Sequence, residues 1–133
     1  MKHFGDLLFD RTDPAQRAAV VDRALARLEH GFSIGVFPEG TRSRDGIPSR
    51  AIHPALIDAA IRSGVPVQPV AIAGTLHLIE DWRHRHRGHP VYARFGPARR
   101  DYVSAEQVWS DVLLMWNEIA SAQRRARDER RGS

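Results

Sequence analysis

A seven-residue segment of the chain combines residue types that bind anions with a carboxylate. It consists of Phe-Pro-Glu-Gly-Thr-Arg-Ser and covers residues 37–43, here called the 37–43 turn. Gly40 can adopt a positive φ and lets backbone N–H groups approach an anion closely. Thr41 adds a hydroxyl and Arg42 a guanidinium, while Glu39 can accept a hydrogen bond from a substrate hydroxyl. The segment therefore suits a ligand that is part alcohol and part phosphate.

The elements around this segment determine where it lies in the fold. A short β-type run covers residues 33–37, and the Pro-Glu-Gly sequence after it predicts that a strand ends there. The carboxyl ends of strands in open α/β sheets are the usual place for ligands. We therefore expect the 37–43 turn to lie at a ligand-binding edge of a sheet.

The remaining elements alternate between strand and helix. Asp13-Pro14 is typical of a helix start, and we expect further helices at residues 54–63, closed by Gly64, and from Ser104 onward. Strands are predicted at residues 7–9, 67–72 and 91–95, the second of them buried on both faces as in a parallel sheet. This alternation predicts an α/β fold with a mostly parallel central sheet flanked by helices.

Composition limits the classes of function. The 133 residues fit one domain, and the lack of cysteine excludes disulfides, thiolate catalysis and cysteine-ligated metals. The net charge of +4 comes almost entirely from arginine, which binds phosphate in a planar fork. Charge alone leaves nucleic acid, an anionic membrane and a phosphorylated ligand open as partners. No apolar run reaches the roughly 20 residues that cross a bilayer, so we expect any membrane contact to be peripheral.

The 37–43 turn resembles the FPEGTRS signature of the glycerophospholipid acyltransferases, the family of lysophosphatidic-acid acyltransferase. Two further blocks resemble the same family in the same order. Residues 8–11 resemble its short apolar strand that ends in an arginine, and residues 64–72 resemble its VPVxPV-type strand. The resemblance covers residues 8–72 and implies a glycerolipid-acyltransferase-like fold.

This resemblance implies a role for each matching residue. Arg11 and Arg42 would bind the substrate phosphate. The acceptor pocket would be formed by Glu39, Gly40 and Thr41. The implied supporting residues are Phe37, Pro38, Ser43, Pro66 and Pro69.

The implied reaction transfers a fatty acyl group to the free hydroxyl of a lysophospholipid during phospholipid biosynthesis. Either acyl-CoA or acyl carrier protein would be the donor, with no bound cofactor and no metal. The implied location is cytoplasmic, peripheral to an anionic inner membrane face. A nucleic-acid binder would need motifs and aromatic interleaving that the chain lacks, so we expect no nucleic acid partner.

The family's general base is a histidine in a His-x-x-x-x-Asp motif, which the resemblance places upstream of Arg11. Here His3 is the one histidine before Arg11, and Leu8 stands where the aspartate would be. His3 with Asp6 could substitute as a base, although a frayed terminus is the simpler interpretation. We therefore expect residues 1–123 to form an N-terminally incomplete acyltransferase domain. The alternative is a truncated or degenerate, non-catalytic phosphate-binding remnant.

Several other features are expected to be structural or solvated. His53 and His77 lie near predicted core elements and are expected to be structural or partly exposed. The last helix has one apolar stripe, formed by Val108, Val112, Met115, Trp116 and Ile119. Trp109, Met115 and Trp116 are most simply core, and the alternative is that they cover an acyl-chain groove or a membrane-facing surface. His84, His86 and His89 alternate with arginines that would repel a metal ion. Residues 124–133 form an arginine-rich tail that we expect to be disordered. An incomplete sheet would expose an edge, which favours self-association or a protein partner.

Overall fold

The computed structural model describes residues 13–41, 43–76 and 90–131, with side chains as far as residue 125. Three helices and two strands are delimited within these ranges. They are α1 (Pro14–Glu29), α2 (Ala55–Arg62), β1 (Val70–Ala73), β2 (Tyr92–Phe95) and α3 (Ala105–Arg131). The α/β class is confirmed. The predicted strand at residues 7–9 lies outside the described residues.

The two strands pair in an antiparallel manner, which differs from the expected parallel sheet. Val70 lies opposite Phe95, and Ala73 lies opposite Tyr92. A bridge between Val67 and Arg99 extends the pairing beyond the strand ends. Ala71 and Ala73 are buried whereas Ile72 is 40% exposed, so the prediction of burial on both faces is wrong. Antiparallel sheets commonly cover one face only.

The predicted strand at residues 33–37 is not formed in the described part of the chain, where these residues pair with no other strand. Val36 is 43% exposed and Phe37 is 80% exposed. β propensity alone does not make a strand, because its backbone groups need a paired neighbour. The 37–43 turn therefore does not follow a strand of the β1–β2 sheet.

Helix α3 contributes to both hydrophobic clusters of the described core. Trp109 and Val112 pack against Ala71 of β1, with Ile52 beside them. A neighbouring cluster joins the same helix to α2 and contains Ile57, Tyr102, Ala105 and Val108. The predicted apolar stripe is confirmed: Val108 and Val112 are buried, and Met115, Trp116 and Ile119 are half-buried.

The helix ends follow local signals at most positions. The Asp13 carboxylate accepts hydrogen bonds from the backbone N–H groups of Ala15 and Gln16, at 2.8 and 3.4 Å, and thereby caps α1. The hydrogen bond from Ala15 is the main cause that lowers the pKa of Asp13 below its ordinary value, and Gln16 acts in the same direction. Helix α2 has the expected position, and Gly64 follows its end with a φ of +70°.

Helix α3 extends beyond the point at which we expected order to end. It continues past Gln123 to Arg131. The added residues are Arg, Ala, Asp and Glu, which include strong helix formers, and Gly132 follows them. The separation of residues 124–133 from the domain stays a prediction. Within the described ranges, no helix combines the length and the hydrophobicity needed to span a membrane.

Candidate functional site

The 37–43 turn is closed by its own backbone. The N–H of Gly40 donates a hydrogen bond to the carbonyl of Phe37, with 3.3 Å between nitrogen and oxygen. Gly40 has a φ of +66°, which residues with a side chain rarely adopt. Pro38 is buried beneath the turn, whereas Phe37 and Thr41 are exposed. The turn is thus anchored through Pro38 and accessible to solvent at Phe37 and Thr41.

The imidazole of His53 closes one side of this turn. The backbone N–H of His53 donates to the carbonyl of Pro38 at 2.7 Å. A Cβ atom at Gly40 would lie 2.7 Å from His53 Cδ2 and 2.8 Å from Nε2, so the ring edge lies directly over the glycine. His53 is nevertheless exposed to solvent. This agrees with the expectation that His53 is structural or partly exposed, but the contact with Gly40 depends on the fold and on no local motif.

The Glu39 carboxylate has a partner within the protein. Its Oε2 atom accepts a hydrogen bond from the backbone N–H of Ser49 at 2.6 Å. The carbonyl of Ser49 in turn accepts a hydrogen bond from Trp109 Nε1 at 2.9 Å. This bond connects Ser49 to the turn, while the expected role of Glu39 toward a substrate hydroxyl stays a prediction.

The loop after the turn is organised by Asp45. Its Oδ1 atom accepts hydrogen bonds from the Ser43 hydroxyl and from the backbone N–H of Ile47, each at 2.9 Å. The Ile47 N–H, and next the Ser43 hydroxyl, lower the pKa of Asp45 below its ordinary value. Gly46 has a φ of +76°, which glycine adopts without steric cost and which suits a tight turn after Asp45. Ser43 therefore supports the loop through Asp45.

Several other residues singled out in the sequence lie outside the described ranges. His3, Arg11 and Arg42 lie outside the described residues, and so do His77, His84, His86 and His89. Pro66 is exposed and Pro69 is buried. The Pro69 carbonyl accepts a hydrogen bond from the N–H of Gly96 at 2.9 Å, at the end of β2. The supporting role of these prolines stays a prediction.

One histidine–aspartate pair in the described part of the chain, unlike His3 and Asp6, has the spacing of the family's catalytic motif. His53 and Asp58 are separated by four residues. However, the Asp58 carboxylate accepts a hydrogen bond from the backbone N–H of Ala105 at 2.8 Å. No hydrogen bond joins Asp58 to the His53 ring in the described structure, whereas a catalytic aspartate must orient its histidine. The pair therefore matches the motif in spacing but not in geometry.

A family model matches the part of the chain that contains this turn. The acyltransferase family model matches residues 1–73, which include the whole 37–43 turn and His53. This is more than half of the chain, and the chain belongs to the acyltransferase family. The family predicted from the signature is confirmed. Strand β2 and helix α3, with Trp109, lie outside the matched residues.

Several curated relatives share this part of the chain. A chloroplast 1-acyl-sn-glycerol-3-phosphate acyltransferase of Brassica napus is 36% identical over 75 residues, and the Salmonella typhimurium enzyme of that name is 41% identical over 82 residues. A lyso-ornithine lipid O-acyltransferase of Pseudomonas aeruginosa is 36% identical over 66 residues. The matches cover 56%, 56% and 50% of this chain, but 22%, 31% and 25% of the relatives. No solved structure matches the chain.

Proposed function

We propose that the chain binds the phosphate of a lysophospholipid at the 37–43 turn and takes part in acylating its free hydroxyl. The hydroxyl oxygen attacks the carbonyl carbon of an acyl thioester, on CoA or acyl carrier protein. The carbon–sulfur bond breaks, and the thiol leaves with the proton. The observation that carries the proposal is the turn itself, in which Gly40 has a positive φ and Thr41 is exposed.

Each group of the turn has a part in this proposal. Arg11 and Arg42 bind the acceptor phosphate, since guanidinium groups hold phosphate in a bidentate manner. Thr41 and nearby backbone N–H groups add donors. His53, whose ring lies over Gly40 and is exposed, contacts the bound acceptor. Glu39 shapes the pocket by holding Ser49.

The acceptor is expected to carry a phosphate. Relatives of this chain are named for 1-acyl-sn-glycerol 3-phosphate and also for a lyso-ornithine lipid. Two arginines in one site favour the phosphate, because they offer two cationic forks to a dianion. Since such an acceptor is a lipid, the proposal includes peripheral contact with an anionic membrane surface.

Binding can be tested with sn-glycerol 3-phosphate and inorganic phosphate, titrated into the chain and followed by NMR or calorimetry. We expect Arg42→Ala to raise the Kd at least about tenfold, as for loss of a charge-assisted hydrogen bond. Arg44→Ala is the matched control, because Arg44 lies in the same loop and is exposed. Equal effects of the two variants, or no saturable binding by the wild type, would contradict the proposal.

Turnover separates an enzyme from a non-catalytic remnant. The alternative has a specific basis, because residues 1–10 contain no His-x-x-x-x-Asp motif. Released CoA can be followed with a thiol reagent, since the chain itself contains no cysteine. Thiol release that requires 1-acyl-sn-glycerol 3-phosphate in anionic vesicles would support the enzyme. Saturable binding without transfer from either donor would support the remnant.

A further inference from the structure

A buried tryptophan on α3 is connected to the 37–43 turn by two successive hydrogen bonds. Trp109 Nε1 donates to the carbonyl of Ser49 at 2.9 Å. The N–H of the same serine donates to Oε2 of Glu39 at 2.6 Å. Ser49 is thus held from both sides, by the helix through its carbonyl and by the turn through its N–H.

On the α3 side of this connection, Trp109 is held in place by packing. Trp109 is 8% exposed and packs with Ala71 and Val112 in the core. One turn earlier, the first N–H of α3 is bound by Asp58 of α2. A packed ring on a fixed helix offers its N–H in one direction, so it can determine where Ser49 lies.

We propose that Trp109 is a positioning residue for the 37–43 turn. Its indole N–H fixes Ser49, Ser49 fixes the Glu39 carboxylate, and Glu39 precedes Gly40 at the centre of the turn. The effect on ligand binding rests on the proposed function, whereas the effect on Ser49 does not. Ser49 and Glu39 lie within the residues that the family model matches, whereas Trp109, the residue proposed to position them, lies outside residues 1–73.

The sequence alone favours a simpler role for this tryptophan, as part of the core stripe. A core role needs the size of the ring but not its N–H, which phenylalanine or a sulfur isostere would also satisfy. The hydrogen bond to Ser49 is therefore the feature to remove. A buried indole N–H is normally paired, and here its partner is the loop that closes the site.

The experiment replaces Trp109 by phenylalanine and, separately, by benzothienylalanine, which keeps both rings and replaces the N–H by sulfur. Hydrogen exchange at the Ser49 amide and the carboxyl ¹³C shift of Glu39 report the connection. Titration with sn-glycerol 3-phosphate reports its effect on binding. Trp116→Phe is the matched control, because Trp116 is half-buried against the same cluster and donates no hydrogen bond to the described part of the turn.

We expect both replacements at Trp109 to speed Ser49 exchange, to move the Glu39 signal and to raise the Kd about fivefold, as for one lost hydrogen bond. Trp116→Phe should change none of these. Unchanged Ser49 and Glu39 signals in the sulfur isostere would overturn the positioning role and leave the proposed function standing. If the wild type binds no glycerol phosphate, the proposed function fails, and the two NMR signals still decide the positioning role. If the phenylalanine variant does not fold, the isostere decides.

Discussion

The carboxylate of Asp58 accepts a hydrogen bond from the backbone N–H of Ala105, with 2.8 Å between Oδ1 and the nitrogen. Ala105 is the first residue of α3 and is fully buried. The first N–H groups of a helix have no partner within the helix, so burial would leave this one unsatisfied. Asp58 lies within the residues that the family model matches. Its hydrogen bond therefore connects this part of the chain to helix α3.

Asp58→Ala should lower the free energy of unfolding by about 1–2 kcal/mol, because it removes a cap and leaves a buried N–H unpaired. Asp58→Asn should cost less, since its amide oxygen can still accept the bond. Urea denaturation followed by circular dichroism measures both. Asp22→Ala on the exposed face of α1 serves as the control. Equal losses for Ala and Asn would show that the bond to Ala105 is not the cause.

Gly40→Ala should destabilise the turn for two reasons, the positive φ and the contact with His53. We expect a cost of about 1–3 kcal/mol in the free energy of unfolding, together with weaker phosphate binding. His53→Ala should remove the steric part, so the double variant should lose less than the sum of the single variants. Gly35→Ala is the control, since a Cβ there meets nothing within 4 Å. Additive losses would show that the ring does not restrict Gly40.

Tyr102 should make the fold sensitive to alkaline pH. Burial, and next the hydrogen bond from its hydroxyl to Asp111 at 2.6 Å, raise the pKa of Tyr102 above its ordinary value of about 10. The guanidinium of Arg99, 4.6 Å from the ring centroid, acts in the opposite direction. Because the folded pKa exceeds the unfolded one, the contribution to stability is complete below pH 10 and is lost as the pH rises through the folded value.

Ultraviolet absorbance of phenolate checks this behaviour, with Tyr92→Phe used to isolate the Tyr102 signal. The free energy of unfolding should fall as the pH rises above about 10 in the wild type. It should fall less in Tyr102→Phe, which keeps the ring and removes the titrating hydroxyl. Ionisation of Tyr102 at the same pH as in the unfolded chain would contradict the prediction.

Structural features that depend on neighbouring residues could be predicted from the sequence. Asp13 with Pro14 starts α1, Gly64 follows α2, and the apolar stripe of α3 faces the core, all as expected. The family was also predictable, because its signature is a continuous run of residues that can be read directly at positions 37–43. The helical extension to Arg131 was missed because arginine composition was taken as a sign of disorder.

The chain by itself thus determined the helices, the turn and the family, since each depends on residues within a few positions of one another. The tertiary structure decided which distant groups meet. It paired β1 with β2 in antiparallel fashion, laid His53 over Gly40 and bound Trp109 to Ser49. Such contacts join residues far apart in the chain, and no local spacing encodes them. They depend on the packing of the core, which holds the backbone so that particular polar groups lie within hydrogen-bonding distance.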